Sequence, residues 1–236
     1  MMPFEIVTYC SENYKDSLDF TLPSWLTNSL ASKITIYTDS NKIKSENKKI
    51  QVIPFFPKDD DWVVNVGRKT SCIVNYLQTN HEPNFAFLES DCYVLSDFSE
   101  IFLEDFDLAV TRMFSKELHT YATITSGVWF THSSPKAIQI LKDWNTISKQ
   151  YYQHNIGINR NTIAYDQLSF TDLIRPLYAK NEANIYPLEE DIYNSEHSKL
   201  ENWIIKLKKT KPKILHFKGQ KFRDKRLVHT VFKYAK

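Results

Sequence analysis

In the stretch 85–97, FAFLESDCYVLSD, an apolar run ends at two carboxylates and then becomes apolar again. Four consecutive apolar residues at 85–88 are typical of a buried strand, and side chains two positions apart on a strand point the same way. Glu89 and Asp91 are therefore predicted to converge where the strand ends. Two carboxylates can hold one divalent cation when other oxygens complete its shell. A solvated acidic turn is the alternative use of the same residues.

Strand and helix patterns alternate on both sides of this stretch. Apolar patterning predicts strands at 4–9, 33–38, 50–55, 84–89, 107–112, 123–131, 184–188 and 213–217. Apolar residues at three- and four-residue spacing predict helices at 14–30, 67–78 and 134–152. Pro23 is expected to kink the first helix or to start a second one. Strands separated by helices predict an α/β fold with a mainly parallel sheet flanked by helices, and we expect residues 1–236 to form one domain.

Composition excludes two broad classes of protein. An apolar content of 42% in 236 residues is too high for a disordered chain, and no stretch is apolar enough to predict a membrane-spanning helix. The first residues enter a strand pattern without the features of a secretion signal. The three cysteines, Cys10, Cys72 and Cys92, are widely spaced in apolar surroundings, which favours buried thiols in a reducing compartment. We therefore expect a cytoplasmic protein.

The net charge of +2 conceals a basic C-terminal segment at 206–236. This segment holds twelve Lys or Arg residues against Asp224 alone, so the remainder of the chain is acidic. A solvated helix face is the simplest explanation of such a run. The functional alternatives are contact with an anionic membrane surface, with a phosphate-bearing ligand or with nucleic acid.

Glycine is informative through its scarcity. The chain has four glycines, Gly67, Gly127, Gly157 and Gly219, and no two are close. A dinucleotide-binding fingerprint and a P-loop are thereby excluded, since both need paired glycines to bring the backbone against phosphates. The same scarcity argues against a sugar nucleotidyltransferase. A diphosphate would have to be bound by a metal ion and basic side chains.

Five segments together resemble the GT-A glycosyltransferases, and in particular the family-eight-like retaining enzymes. FLESDCYVLSDFSEIF resembles their Asp-x-Asp metal-binding segment, and TSGVWFTHSSP resembles their acceptor-side strand. YDQLSFTDLI is similar to the Asp-Gln start of the helix that follows, and ILHFKGQKFR is similar to the C-terminal His-x-x-Gly-x-x-Lys segment. IVTYCSENY is similar to the nucleotide-binding first strand and loop. The segments occur in the family's order and span nearly the whole chain.

The resemblance implies a metal centre and a diphosphate site. Asp91 is the implied principal ligand of Mn²⁺ or Mg²⁺, and His216 is the implied third protein ligand. Glu89 is implied to bind the metal, a metal-bound water or the donor ribose. Lys218 and Lys221 are implied to neutralise the leaving diphosphate.

Departures from the family pattern keep alternatives open at this centre. Glu89 stands where an Asp is usual, and its additional methylene allows either a direct or an outer-shell contact with the metal. Lys221 follows His216 by five residues rather than six, so Lys218, Lys221 and Arg223 are alternatives for the phosphate contact. A histidine on an apolar strand is equally compatible with a hydrogen-bonded core residue.

The resemblance also implies a nucleotide site. Thr8 and Tyr9 are implied to flank the base, with Asp39 nearby. Arg68 and Lys69 are implied to reach the nucleotide or its phosphates.

The sugar site follows from the same resemblance. Asp166 and Gln167 are implied to lie beside the reacting carbon, and Ser126 and Gly127 beside the sugar and acceptor. A helix N-cap is the structural alternative for Asp166. The Asp-Gln start favours retention of configuration, while an inverting enzyme would need a base, for which three residues compete: Glu189, Glu190 and Asp191. Two tryptophans could stack on sugar rings, but core packing is the expected use of both: Trp62 and Trp129.

The implied function is metal-dependent transfer of a hexosyl-type sugar from a nucleotide-diphosphate donor, expected to be a UDP-sugar, to a hydroxyl of a glycan or lipid-linked acceptor. A basic amphipathic helix at 220–235 could rest on a membrane that carries such an acceptor, or could simply close the fold. The alternatives are a non-catalytic nucleotide-sugar-binding module and a metal-dependent nucleic-acid enzyme. No Lys lies two residues beyond the acidic pair, and the basic residues lack an aromatic interleave, so no nucleic-acid partner is expected.

Overall fold

The computed structural model of the chain describes residues 2–56, 65–79, 82–115, 120–154, 165–195, 200–218 and 223–235. Its nine strands are β1 (Glu5–Tyr9), β2 (Lys33–Thr38), β3 (Ile50–Pro54), β4 (Phe85–Leu88), β5 (Cys92–Val94), β6 (Leu108–Ser115), β7 (Thr120–Thr131), β8 (Ile185–Leu188) and β9 (Ile214–His216). Its helices are α1 (Lys15–Asn28), α2 (Asn65–Gln78), α3 (Pro135–His154), α4 (Tyr165–Ala179), α5 (Glu190–Tyr193), α6 (Leu200–Lys209) and α7 (Lys225–Ala235). Short 3₁₀ turns occur at Glu12–Tyr14 and Ser99–Leu103.

A seven-stranded sheet forms the centre of the described chain, in the order β3-β2-β1-β4-β7-β6-β8. Strands β3, β2, β1 and β4 are parallel to one another, β6 is parallel to β8, and β7 runs antiparallel between β4 and β6. The predicted α/β fold with a mainly parallel, helix-flanked sheet is confirmed. The eight predicted strands form close to their expected positions. The three-residue strand β5 was not predicted, and it pairs with β9 in a two-stranded ribbon.

Helix α1 tests one of the two alternatives predicted for Pro23. The helix runs without interruption through this residue, so the alternative that a second helix starts there is wrong. Proline removes one main-chain hydrogen bond, but Leu18 and Trp25 on the same helix are almost fully buried. Because tertiary packing of an apolar face supplies most helical stability, this burial outweighs the lost bond.

Apolar side chains cover both faces of the sheet. The strict alternation along β1 sends Ile6 into the cluster beneath α1, while Val7 points into the cluster beneath α2, α3 and α4. Trp129 belongs to the second cluster, is fully buried and stacks on Phe87 with ring centroids 5.4 Å apart. The expectation that Trp129 packs in the core is confirmed, whereas Trp62 lies outside the described residues. The three cysteines are free and buried, as predicted.

The basic C-terminal segment closes the fold. In α7, Leu227 and Val231 are buried in a third cluster with Trp203, Leu215 and Phe217. The apolar face of this helix is therefore covered by protein, while a basic row remains exposed at four-residue spacing: Lys225, His229 and Lys233. Within the described ranges, no helix is both long and apolar enough to cross a membrane.

Candidate active site

The two carboxylates lie in a tight turn between β4 and β5. The amide of Cys92 donates to the carbonyl of Glu89 at 2.9 Å, which closes this turn directly after the strand. Strand β5 then pairs antiparallel with β9, and Cys92 is the register partner of His216. Glu89 and Asp91 do converge as predicted. The cause is the turn and not the strand alternation, since residues 89–91 are outside β4.

Helix α1 holds this turn from behind. The hydroxyl of Thr21 donates to the carbonyl of Ser90 at 2.7 Å, and the indole N–H of Trp25 donates to the carbonyl of Cys92 at 2.6 Å. On the opposite side, the amide of Phe217 donates to the carbonyl of Asp91 at 3.0 Å. These are main-chain contacts on the acidic turn, so the fold fixes its backbone independently of the carboxylates.

His216 is the point on which the carboxylates converge. Its Nε2 atom lies 3.0 Å from Oε2 of Glu89 and 3.1 Å from Oδ1 of Asp91. Neither oxygen lies along the ring N–H direction, and this buried nitrogen makes no well-aligned hydrogen bond to the described residues. Burial lowers the pKa of His216, but the neighbouring charges of Asp91 and Glu89 outweigh it and raise the pKa to about 10.

The raised pKa of His216 predicts how stability depends on pH in metal-free protein. A group whose pKa rises on folding stabilises the fold fully below its ordinary value of 6.5, and this contribution is lost as the pH rises through about 10. The unfolding free energy of the wild type minus that of His216→Gln should therefore fall between pH 6.5 and about 10. Urea unfolding in EDTA at several pH values measures this difference. A difference that is constant with pH would contradict the prediction.

Gly127 of β7 lies directly against these groups. A Cβ atom at this position would be 2.7 Å from Oε2 of Glu89 and 2.8 Å from Cε1 of His216, closer than real Cβ atoms approach other atoms. The amide of Glu89 also donates to the carbonyl of Gly127 at 2.9 Å, which holds the backbones together. The absence of a side chain at Gly127 is thus a condition for the approach of Glu89 and His216.

We expect Gly127→Ala to lower kcat/KM by about two orders of magnitude, because a displacement of reacting groups by about 1 Å can cost that much. The added methyl group displaces Glu89 and His216, and the surrounding β7 backbone cannot retreat without breaking its pairing with β4. Steady-state kinetics with saturating metal measures the effect, and urea unfolding monitors the fold. Wild-type kinetics in a stably folded Gly127→Ala protein would show that this close approach is unimportant.

A buried ion network joins Glu89 to the start of α4. The ammonium of Lys69 pairs with the carboxylates of Glu89 and Asp166 and lies 3.3 Å from Oγ of Ser126, which donates to Oδ2 of Asp166 at 2.7 Å. Burial lowers the pKa of Lys69, but Asp166 and Glu89 outweigh it and raise that pKa. Burial raises the pKa of Glu89, yet Lys69 and His216 hold it well below its usual range. Lys69 and Glu89 therefore remain charged.

Asp166 is held on its main-chain side as well. Nε1 of Trp144 donates to the carbonyl of Asp166 at 3.0 Å, and the side chain of Asp166 is 6% exposed. Its carboxylate contacts the side chains of Lys69 and Ser126, a different environment from the N-cap considered as its alternative.

A separate polar group lies at the ends of β1 and β2. Arg68 pairs with the carboxylate of Asp39 and donates to the hydroxyl of Tyr9 at 3.3 Å, and Asp39 also accepts from the amide of Glu12 at 3.1 Å. Thr8 is fully buried, and its hydroxyl has no hydrogen-bond partner among the described residues. Lys69 does not join this group, although it follows Arg68 directly in the sequence.

A cavity of about 240 Å³ opens over the acidic turn. Its lining includes ten of the residues that the sequence predicts for the site: Tyr9, Lys69, Glu89, Asp91, Ser126, Gly127, Asp166, Gln167, His216 and Lys218. Three predicted residues do not line it: Thr8, Asp39 and Arg68. Lys221 lies outside the described residues. The sequence prediction missed further lining residues, for which the sequence has no distinctive signal: Ser11, Tyr14, Ser90, Thr125 and Asn194.

The residues of this cavity fit a hard divalent cation. One ligand atom from each of Asp91, Cys92 and His216 lies within 4.8 Å of the other two. Burial, followed by the charges of Asp91 and Glu89, raises the pKa of the Cys92 thiol, so this residue does not supply a thiolate. Nε2 of His216 is buried with no hydrogen bond to a described residue, and oxygens of Glu89 and Asp91 lie 3.0 and 3.1 Å from it. The carboxylate oxygens suit Mn²⁺ or Mg²⁺, and without a thiolate the site offers no ligand that selects a thiophilic metal.

Comparisons with known proteins identify the fold of the chain. The chain aligns in structure with the glycosyltransferase GlyE of Streptococcus pneumoniae TIGR4 at a TM-score of 0.60 and 16% identity, over 100% of this chain and 60% of GlyE. It aligns with an active-site mutant of LgtC at a TM-score of 0.53 and 11% identity, over 97% and 95% of the two chains. It also aligns with the bifunctional glycosyltransferase WbbM at a TM-score of 0.55 and 11% identity, over 93% of this chain and 46% of WbbM.

At these identities the likeness shows the fold, and the chain spans about 60% of the length of GlyE. No curated protein matches the chain in sequence. The family model described as nucleotide-diphospho-sugar transferase matches residues 30–228, most of the chain. The chain therefore belongs to the nucleotide-diphospho-sugar transferase family, and its fold is the GT-A fold of these glycosyltransferases.

Proposed function

We propose that the chain is a metal-dependent glycosyltransferase, which moves a sugar from a UDP-sugar to a hydroxyl of a glycan or lipid-linked acceptor. One observation carries the proposal: Asp91, Glu89 and His216 converge at the cavity that Lys69, Asp166 and Gln167 also line. A candidate metal-binding cluster and a buried ion network are thus adjacent within one cleft. We propose Asp91 and His216 as the ligands of Mn²⁺ or Mg²⁺. Glu89, already paired with Lys69, is proposed as an outer contact to a metal-bound water or the ribose.

Departure of the diphosphate develops negative charge, which a bound divalent cation would stabilise when present. Lys218 lines the cavity and is proposed to contact the same phosphates. Tyr9 also lines the cavity, and we propose that it packs against the base, with Arg68 and Asp39 holding its hydroxyl group. Thr8, which is fully buried, would support this strand end from behind.

The sugar is proposed to lie between Gln167 and Gly127. Asp166 is engaged by Lys69 and Ser126, so we propose that it orients these groups, while the amide of Gln167 faces the reacting carbon. The three carboxylates considered as bases for inversion, Glu189, Glu190 and Asp191, do not line this cavity. A same-face, retaining reaction needs no such base, and we therefore propose retention.

Thermal shift with a panel of nucleotide sugars tests the function. At a donor concentration of about 100 times its Kd, binding adds about 2.7 kcal/mol, which raises the Tm of a chain of this size by roughly 5–10 °C. We expect this rise for a UDP-sugar with Mn²⁺ and not in EDTA. Released UDP measured with Mn²⁺ separates an enzyme from a non-catalytic binding module. A shift with oligonucleotides and none with any nucleotide sugar would favour the nucleic-acid alternative.

Membrane contact by the basic C-terminal segment is a separate proposal. The apolar face of α7 is packed inward, so contact would rest on the exposed row of Lys225, His229 and Lys233 and not on insertion. Co-sedimentation with vesicles containing phosphatidylglycerol should then decrease steeply with salt. Binding that is insensitive to salt, or no binding at low salt, would contradict it.

A further inference from the structure

Nδ1 of His216, the ring nitrogen that points away from the acidic turn, contacts one side chain. It lies 2.9 Å from Oδ1 of Asn194, which follows α5 and is fully buried. The amide nitrogen of Asn194 donates in turn to the hydroxyl of Thr125 at 3.0 Å. Both ends of the Asn194 amide are thus engaged, one by the candidate metal ligand and the other by β7.

The hydrogen bonds continue to a group that can only accept. The hydroxyls of Thr125 and Thr111 are hydrogen-bonded to each other, and the hydroxyl of Thr111 donates to the carbonyl of Val128 at 3.4 Å. Because Thr111 donates its proton to this carbonyl, it accepts from Thr125, which therefore accepts from the amide nitrogen of Asn194. In this arrangement the oxygen of Asn194 faces His216, and Nδ1 of His216 carries a proton.

The fold makes this chain of hydrogen bonds through an irregularity in the sheet. The pairing of β6 with β7 shifts register between Val110 and Arg112, which places Thr111 at a bulge. Bulges re-aim side chains and occur frequently next to active sites. All four side chains that form these hydrogen bonds are buried: Thr111, Thr125, Asn194 and His216.

We propose that Asn194 is a positioning residue for the metal centre, fixing His216 so that Nε2 presents its lone pair to the cation. This inference rests on the proposed function, because it concerns the metal that this function requires. A metal-binding histidine typically donates its second N–H to a group that fixes the tautomer and ring orientation, and loss of that group typically weakens metal binding 10- to 100-fold. Asn194 supplies this acceptor, and Thr125 and Thr111 hold its amide in the required orientation.

The test measures the Kd of Mn²⁺ in the presence of UDP, from the EPR signal of free Mn²⁺. Asn194→Leu keeps the branching and the number of heavy atoms of the side chain without the acceptor, and we expect the Kd to rise about 10- to 100-fold. Thr125→Val leaves Asn194 in place but frees its amide, and we expect a smaller rise. In assays of UDP release, saturating Mn²⁺ should restore most of kcat in Asn194→Leu, because the role concerns metal binding.

The chain offers a matched control at the other end of β4. Asn84 is buried, donates to the carbonyl of Pro3 at 3.1 Å and places Oδ1 2.6 Å from Nδ1 of His132. Asn84→Leu removes an equivalent Asn–His contact far from the cavity, so it should leave the Mn²⁺ affinity unchanged.

The outcomes separate the inference from the function on which it rests. Wild-type Mn²⁺ affinity in folded Asn194→Leu and Thr125→Val overturns the role of Asn194 and leaves the proposed function intact. If Asn194→Leu does not fold, Thr125→Val alone decides in the same way. An equal loss in Asn84→Leu shows a general effect on stability and overturns the inference. A wild-type protein that binds no Mn²⁺ with UDP overturns both.

Discussion

Asp91→Asn is expected to lower kcat/KM by about 10² to 10³-fold, comparable to the loss of one group that stabilises transition-state charge. The substitution keeps the size of the side chain and removes the charge that lies 3.1 Å from Nε2 of His216. Its backbone should not move, because the amide of Phe217 holds the carbonyl of Asp91 and not its carboxylate. The activity loss should therefore reflect the lost carboxylate and not a displaced backbone.

UDP release from the preferred donor with Mn²⁺ measures this effect. Asp105→Asn, which removes an exposed carboxylate outside the cavity, is the matched control and should retain wild-type kinetics. A folded Asp91→Asn protein with kcat/KM within about threefold of the wild type would remove Asp91 from the metal centre, since one lost ligand interaction costs far more.

Lys69→Met is expected to destabilise the fold by about 3–5 kcal/mol, the usual cost of removing one partner of a buried ion pair. Lys69 is 7% exposed and compensates Asp166, which is 6% exposed, as well as the partly exposed Glu89. Without the ammonium, two carboxylates remain in one buried site. Adding Asp166→Asn to Lys69→Met should recover part of the loss, because it removes one of the unpaired charges.

Urea unfolding measures the cost, with Lys15→Met as control. Lys15 pairs with Asp19 on the surface of α1, where the two side chains are 32% and 57% exposed, and such pairs contribute at most about 1 kcal/mol. A loss for Lys69→Met no larger than that for Lys15→Met would mean that the buried network does not stabilise the fold.

Local patterns in the sequence were sufficient to predict the positions of the strands in the large sheet. The continuous apolar run of β4 and the alternation in β1 follow from burial on one or both faces, which neighbouring residues reveal. The β5–β9 ribbon could not be found in this way. Each of its strands has three residues, and they are separated by more than a hundred positions, so the pairing of Cys92 with His216 arises only in the folded chain. The same holds for the antiparallel direction of β7.

The candidate site shows a similar limit. Residue types and order pointed to Asp91 and His216, but the sequence did not show that Lys69 leaves the nucleotide end and pairs with Asp166. Helix α2 sends adjacent side chains in different directions, so Arg68 and Lys69 reach different groups. Asn194 also escaped prediction, because an asparagine after an acidic loop resembles an ordinary turn residue until His216 is placed beside it.

The most direct test of the account is the anomalous diffraction signal of manganese in crystals grown with Mn²⁺ and UDP. We expect one manganese peak in bonding contact with Asp91 and with Nε2 of His216. The diphosphate of UDP should lie on the open side of the metal, with Lys218 beside the phosphates. Electron density for UDP with no manganese at Asp91, or manganese bound at a different place in the molecule, would contradict it.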